Sequence, residues 1–356
     1  MSKTFVFFVT FIFLSSYIFS QPIGLKEIVK LKTTGIRDQQ EIGSCWAFGT
    51  ISMLESDLLN QKNLKVDLSE NFILYYTYLN RGKMYLMMNG NISFGEGGQA
   101  HDVMNVISEN GIVPESVYPY NLSSHSTMVH ELKSYLDSLN KFDTILLDWK
   151  TKYIEILDRY LGKPPKEFVV DGKTYTPHTY RNYLEINPNN YIEITSFTHR
   201  EMYKKFVLEV PDNWSMGLYL NVPISKILEI VDFALEQNYS LVWDGDVSTK
   251  GFDYKESIAL FTENFQAKYS QIKDQEYRQI LFLKKITTDD HLMNIVGIYK
   301  SPDNVKYYLA KNSWGETGKA NGFVYLSDKF IVFQTIAIMV NKNALKPELK
   351  MLLNVE

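Results

Sequence analysis

Apolar positions along the chain fall into two kinds of run. From residue 45 onward, Ala47, Ile51, Leu54 and Leu58 lie at i, i+4, i+7 and i+11, a spacing that lines one face of an α-helix. Gly43 and Ser44 stand just before this run and offer a turn and a capping hydroxyl. Two later stretches, "ELKSYLDSLNKFDTILLDWKTKYIEILDRYLG" and "ISKILEIVDFALEQN", also read as helical. The second kind of run is β-rich. "HLMNIVGIY" starts at His291, and within "VKYYLAKNSWGETGKANGFVYLS" a strand ends at Asn312 and leads into Ser313, Trp314 and Gly315.

The N-terminus is patterned differently. Lys3 precedes an apolar run from Phe5 to Phe19, followed by Ser20 and Gln21, the three-part layout of a cleaved secretory signal. A membrane anchor needs roughly 20 apolar residues, and this run is shorter. A signal peptide over residues 1–20 and an exported mature chain, periplasmic or secreted, are therefore expected. The composition is that of a globular protein, 45% hydrophobic and 22% charged, and the length of 356 residues fits two domains or one enlarged domain. A net charge of -4 carries no footprint for nucleic acid. No second long apolar run follows, so no membrane role is expected of the mature chain.

Export makes the single cysteine, Cys45, informative, because exported proteins generally pair their cysteines. An unpaired one is either inert in the core or reactive. The helical periodicity puts Cys45 at a helix N-terminus, where unpaired amides and the macrodipole favour an anion and can lower a thiol pKa. A thiolate nucleophile also needs a base and a group that orients it. Of the six histidines, His291 has the distinctive setting: Asn312 could accept its ring N–H, and Trp314 could shield that bond from water. Taken singly, each reads better as an ordinary half-buried histidine or turn asparagine.

Together these residues resemble the papain-like cysteine peptidases: "GSCWAF" with Gln39 six positions before the cysteine, a later histidine opening a strand, and "KNSWG". The resemblance implies Cys45 as nucleophile, His291 as general acid and base, and Asn312 as the orienting residue. Gln39 and the Cys45 backbone N–H would form the oxyanion hole. "GEGGQAHDVMNVISENGIVPESVYPY" resembles the family's glycine pair, which implies that Gly97 and Gly98 let an extended peptide approach the main chain closely. Trp314 is counted with them as a substrate-side residue, while His101 and Asp102 read as plain helix residues.

Residue 291 lies 246 positions beyond residue 45, against roughly 130 to 150 in simple papain-type chains. An insertion between about Asn121 and Leu241 is implied, and Ile42 stands where secreted relatives usually carry a disulfide cysteine. Both features, with "PPKEF", "TPHTYRNYL", "YLNVPISKILEI" and "LVWDGDVSTKGFD" in order, resemble the bleomycin hydrolase and aminopeptidase C branch. The implied fold is α+β with two lobes: a helical lobe over residues 21–120, an inserted helical subdomain over 121–241, and a β-rich lobe with the C-terminal tail over 242–356. The implied reaction is amide hydrolysis of peptide substrates with no metal or organic cofactor; a homo-oligomer stays open as a partner. An aminopeptidase is the leading reading, gated by tail residues near Leu352 to Glu356 lying in the cleft. The alternatives are a papain-like endopeptidase and a non-catalytic exported binding protein, against which the retained catalytic residues count.

Overall fold

The computed structural model describes residues 24–120, 125–140, 148–262 and 273–353; the expected signal segment lies outside them. Its helices are α1 (Cys45–Lys62), α2 (Glu70–Met87), α3 (Ala100–Asn110), α4 (His125–Asn140), α5 (Trp149–Leu161), α6 (Pro177–Leu184), α7 (Ile224–Glu236), α8 (Asp274–Leu283), α9 (Asp328–Gln334) and α10 (Pro347–Leu353). The strands are β1 (Lys26–Lys30), β2 (Phe168–Val170), β3 (Lys173–Tyr175), β4 (Tyr191–Thr195), β5 (Lys205–Val207), β6 (Leu218–Asn221) and β7 (Leu241–Gly245). They continue as β8 (Phe252–Asp253), β9 (Ile258–Ala259), β10 (His291–Lys300), β11 (Lys306–Lys311), β12 (Phe323–Ser327) and β13 (Thr335–Asn341). The architecture is α+β, as expected: a helical layer against a mixed sheet.

Apart from the β2–β3 hairpin, the described strands form one sheet in the order β5-β6-β4-β13-β7-β10-β11-β12-β9-β8. Strand β7 pairs the first half of β10, and β1 pairs its second half, Gly297 to Lys300. The N-terminal strand thus belongs to the sheet, although residues 21–120 read from sequence as part of the helical lobe. Strand β10 is buried from His291 to Tyr299 because helices cover both faces, and neighbouring residues on a strand point to opposite sides. Met293 and Ile295 enter the sheet core together with Ile227 and Val231 of α7. Leu292 enters the helical core with Trp46 and Leu54 of α1, and Asn294 reaches Ser52 and Ser56 of α1 through its Nδ2 at 3.2 and 3.1 Å.

Helix α1 runs between the two layers, and this changes its predicted character. Ala47, Ile51, Leu54 and Leu58 face the helical core, but Thr50, Glu55, Ser56 and Asp57 are buried as well. Neighbouring segments answer the acidic ones: Glu55 accepts from Leu68 N at 2.8 Å and Thr34 Oγ1 at 2.6 Å, and Asp57 accepts from Ser240 N at 2.9 Å, while the Thr50 hydroxyl has no partner. Leaving any such buried group unpaired would cost about 1–3 kcal/mol, so the polar side of α1 keys the lobes together. Helix α7 is the simpler case. Its Ile227, Ile230, Val231, Ala234 and Leu235 are buried at i, i+3, i+4, i+7 and i+8, each large one contributing roughly 1.5–3 kcal/mol of burial.

Residues 121–241, read from sequence as one inserted helical subdomain, divide between the layers. Helices α4, α5 and α6 add Leu132, Leu136, Ile156, Leu157 and Leu184 to the helical core. Strands β4, β5 and β6 extend the sheet beyond β13, and α7 covers the sheet face opposite α1. The two helix-like stretches are helical as read, with residues 141–147 outside the described residues.

Candidate active site

Helix α1 and strand β10 meet where the sequence motifs converge. Cys45 is the first residue of α1 and is 8% exposed. Its N–H, at the first helical position, has no intrahelical acceptor. The turn before it is held by Gly43 N donating to Glu96 Oε2 at 2.6 Å. Ser44 occupies the N-cap position but makes no side-chain cap; its hydroxyl lies 3.1 Å from the Tyr120 hydroxyl instead. The backbone at Leu292, the residue after His291, lies against Gly49 one turn into α1.

His291 is 3% exposed, and its Nε2 lies 2.8 Å from Asn312 Oδ1. That oxygen also accepts from Ser313 N at 2.8 Å. An amide oxygen can only accept, so Nε2 carries the proton and Nδ1 of the neutral ring is the basic nitrogen. The Trp314 ring sits over the histidine with centroids 4.7 Å apart. Phe252 and Tyr254 meet Trp314 edge-on behind it. Water is thereby kept from the His291–Asn312 bond.

Gln39 is buried, and its side chain bridges the two lobes. Its Nε2 donates to Ile42 O at 2.7 Å while its Oε1 accepts from Ser313 Oγ. A carboxamide nitrogen has two donors, of which one is used here. Gly98 is tight against the Trp46 indole, which a Cβ would meet at 2.8 Å. At Gly97 a Cβ would collide with the carboxylate of Asp212. His101 and Asp102 link α3 to the sheet side: the His101 ring bonds Glu193 at 2.6 Å, and Asp102 accepts from Ser215 Oγ at 2.7 Å.

Burial pushes the Cys45 thiol up to about 12; the Leu292 backbone pulls the other way, and the nearby carboxylates Asp289, Asp244 and Asp212 raise it further. Burial also lowers His291, opposed by its bond to Asn312. Each group alone is therefore neutral in the closed site. Moving the thiol proton onto the imidazole creates two opposite charges together, which burial penalises less than either alone. The helix end favours the anionic member of such a pair.

Sequence reasoning passed over three acidic residues beside this site. Asp244 on β7 pairs in register with Leu292 and is 3% exposed. Asp289 lies two residues before His291 and accepts from Gln99 Nε2 at 2.7 Å. Asp212 lies on the segment between β5 and β6. A signal existed for two of them: a carboxylate in the otherwise apolar strand "LVWDG", and the "DDH" triplet. Among the described residues no group of His, Cys, Asp and Glu has a metal-holding arrangement, and no helix is long and apolar enough to cross a membrane.

A family model described as the Peptidase C1-like family matches residues 26–356. Aminopeptidase G of Lactobacillus delbrueckii subsp. lactis is 22% identical, covering 91% of this chain and 85% of its own length. Aminopeptidase C of the same organism is 24% identical over 90% of this chain and 82% of its own length. The crystal structure of pepw from Lactobacillus rhamnosis HN001 aligns with a TM-score of 0.74 at 20% identity, covering 92% of this chain and 84% of that one, a likeness of fold.

Proposed function

The chain belongs to the Peptidase C1-like family, and from that premise we propose that it is an exported aminopeptidase that hydrolyses the first peptide bond of substrates with free amino termini. The observation that carries the chemistry is the His291 Nε2–Asn312 Oδ1 bond of 2.8 Å, made on a strand whose next residue lies with its backbone against Gly49 of α1. In this reading the His291 Nδ1 takes the Cys45 proton as sulfur attacks the scissile carbonyl. The carbonyl oxygen becomes an oxyanion received by the Cys45 N–H and the free donor of Gln39. The imidazolium then gives its proton to the leaving amine and the C–N bond breaks. Water, losing a proton to Nδ1, attacks the thioester and releases the carboxylic acid, restoring the thiol.

Exopeptidase specificity is supported by the names of the relatives, aminopeptidases G, W and C, each aligned over nine-tenths of this chain or more. One observation favours the second reading, an endopeptidase. Helix α10 packs its Leu349 into the sheet core, and Lys346 just before it pairs with Glu229 of α7 at 3.0 Å. The described part of the tail thus lies with α7, on the sheet face opposite α1, while residues 354–356 lie outside the described residues. Export is supported by the pattern of residues 1–20. Hydrolysis of matched peptide amides with free and acetylated amino termini tests the proposal. Cleavage of the free-amine set alone, lost in Cys45→Ala, is expected; equal cleavage of both sets rejects the aminopeptidase, and activity retained in Cys45→Ala rejects the cysteine mechanism.

A further inference from the structure

Three carboxyl groups from three separate segments come together beside the glycine pair. Asp244 is the buried member: neither oxygen of its carboxyl receives a hydrogen bond from a donor, and it interacts with the carboxyl of Asp289. Asp289 is partly exposed and tied to Gln99, the residue after the glycine pair. Asp212 closes the end. Its carboxylate occupies the space where a side chain at Gly97 would be, the backbone that an extended peptide would follow. The segment carrying it is pinned: the Asn213 side chain bonds Leu208 O at 3.0 Å and Gly217 N at 2.7 Å, and Trp214 lies 4.8 Å over the Arg81 guanidinium.

We propose that Asp212, Asp244 and Asp289 form a binding site for the free α-ammonium group of the substrate, so that this end of the cleft both anchors the amino terminus and blocks a longer chain. The inference rests on the aminopeptidase reading and deepens it, replacing the tail with side chains as the specificity device. Burial and mutual repulsion oppose ionisation of the two facing carboxyls, and a buried carboxylate without donors is costly. An ammonium group brings three donors and the opposite charge. The nearby cations give no hydrogen bond to these carboxyls: Arg81 donates to the carbonyls of Gly95 and Gly97 and Arg278 to those of Ser196 and Val332, and they act on Asp212 and Asp244 only through space. A peptide continuing past its first residue would have to displace Asp212 from Gly97.

The test uses the full chain and its Asp212→Asn, Asp244→Asn and Asp289→Asn variants, with the fraction of folded active sites counted by a thiol-directed epoxide. The probes are three coumarin amides: one with a free α-amino group, its acetylated form, and an acetylated form with lysine as the second residue before the scissile bond. The expected result is that kcat/KM for the free-amine probe falls about ten-fold or more per labelled site in each variant, chiefly through KM, relative to the plain acetylated probe. An unchanged ratio in fully labelled Asp212→Asn and Asp289→Asn overturns the inference and leaves the aminopeptidase standing. A loss confined to the lysine probe also overturns it, since the site would then read a side-chain ammonium. Equal turnover of free and acetylated probes by the parent protein removes the aminopeptidase reading itself.

Discussion

The two halves of the cleft are built on opposite electrostatic logic. At the reacting half, Cys45 and His291 are buried without charge, and their neighbours, Asn312, Gln39 and Trp314, orient or shield neutral groups. At the far half, three carboxylates stand close together with few donors. The first arrangement delays charge until substrate arrives, so the charges that form are those of the reaction. The second crowds carboxyls whose ionisation burial and mutual repulsion oppose, so that a cationic group would complete their charge. On the proposed function, such a site would separate rate from recognition: one half would govern how fast a bond breaks, the other which end of a peptide is presented.

The largest expected effect lies in the reacting half. Cys45→Ala should reduce hydrolysis of every peptide to background and abolish labelling by a thiol-directed epoxide, because no other cysteine is present; measurable turnover by that variant sinks the assignment. Gln39→Ala should lower kcat by about 100- to 1000-fold through loss of one oxyanion donor. Asn312→Ala should leave a folded enzyme slowed by roughly 10- to 100-fold, the worth of a buried hydrogen bond to a charged imidazolium. In both slow variants the preference for free over acetylated amino termini should persist, as read by the ratio of kcat/KM values. A preference that collapses with Gln39→Ala would show that the halves are not separable.

The smallest effect concerns stability and isolates the acidic half. Burial and the neighbouring carboxyl Asp212 push Asp289 up to about 7, against the lowering hydrogen bond from Asp244, and Asp244 itself is raised well above the usual carboxylate range by burial and by Asp289. A carboxyl whose folded pKa exceeds its unfolded value of about 3.9 binds its proton more tightly when folded. Its stabilising contribution is complete below about pH 4 and is lost as pH rises through about 7. Asp289→Asn should flatten that dependence, raising the thermal midpoint near pH 8 more than near pH 5. A variant whose midpoint follows the parent at both pH values would show that the pair is not the titrating unit.

Some of this was legible because it depends on adjacent residues. The periodicity after Cys45 and the strand opening at His291 depend on local spacing, and the resemblance carried by "GSCWAF" and "KNSWG" joins residues that serve one reaction. Other features were misread where a residue's environment is supplied from afar. Helix α1 looked amphipathic because Ser52, Ser56 and Asp57 are polar, yet they are partnered by Asn294 and Ser240. Ser44 looked like a helix cap, but its hydroxyl turned toward Tyr120. Nothing local tells β1 to pair with β10, or divides residues 121–241 between two cores.

What the sequence determined by itself is therefore the set of elements and the chemistry of the motifs, since a 3.6-residue or two-residue period and a short run of side chains are properties of neighbours in the chain. Only the tertiary structure decided which polar groups are paired, which carboxylates stay unpaired, and that Asp212 lies on Gly97 across more than a hundred residues. The reason is physical: hydrogen bonding and charge depend on distance and burial, and the packing of α1 between helices and sheet sets both.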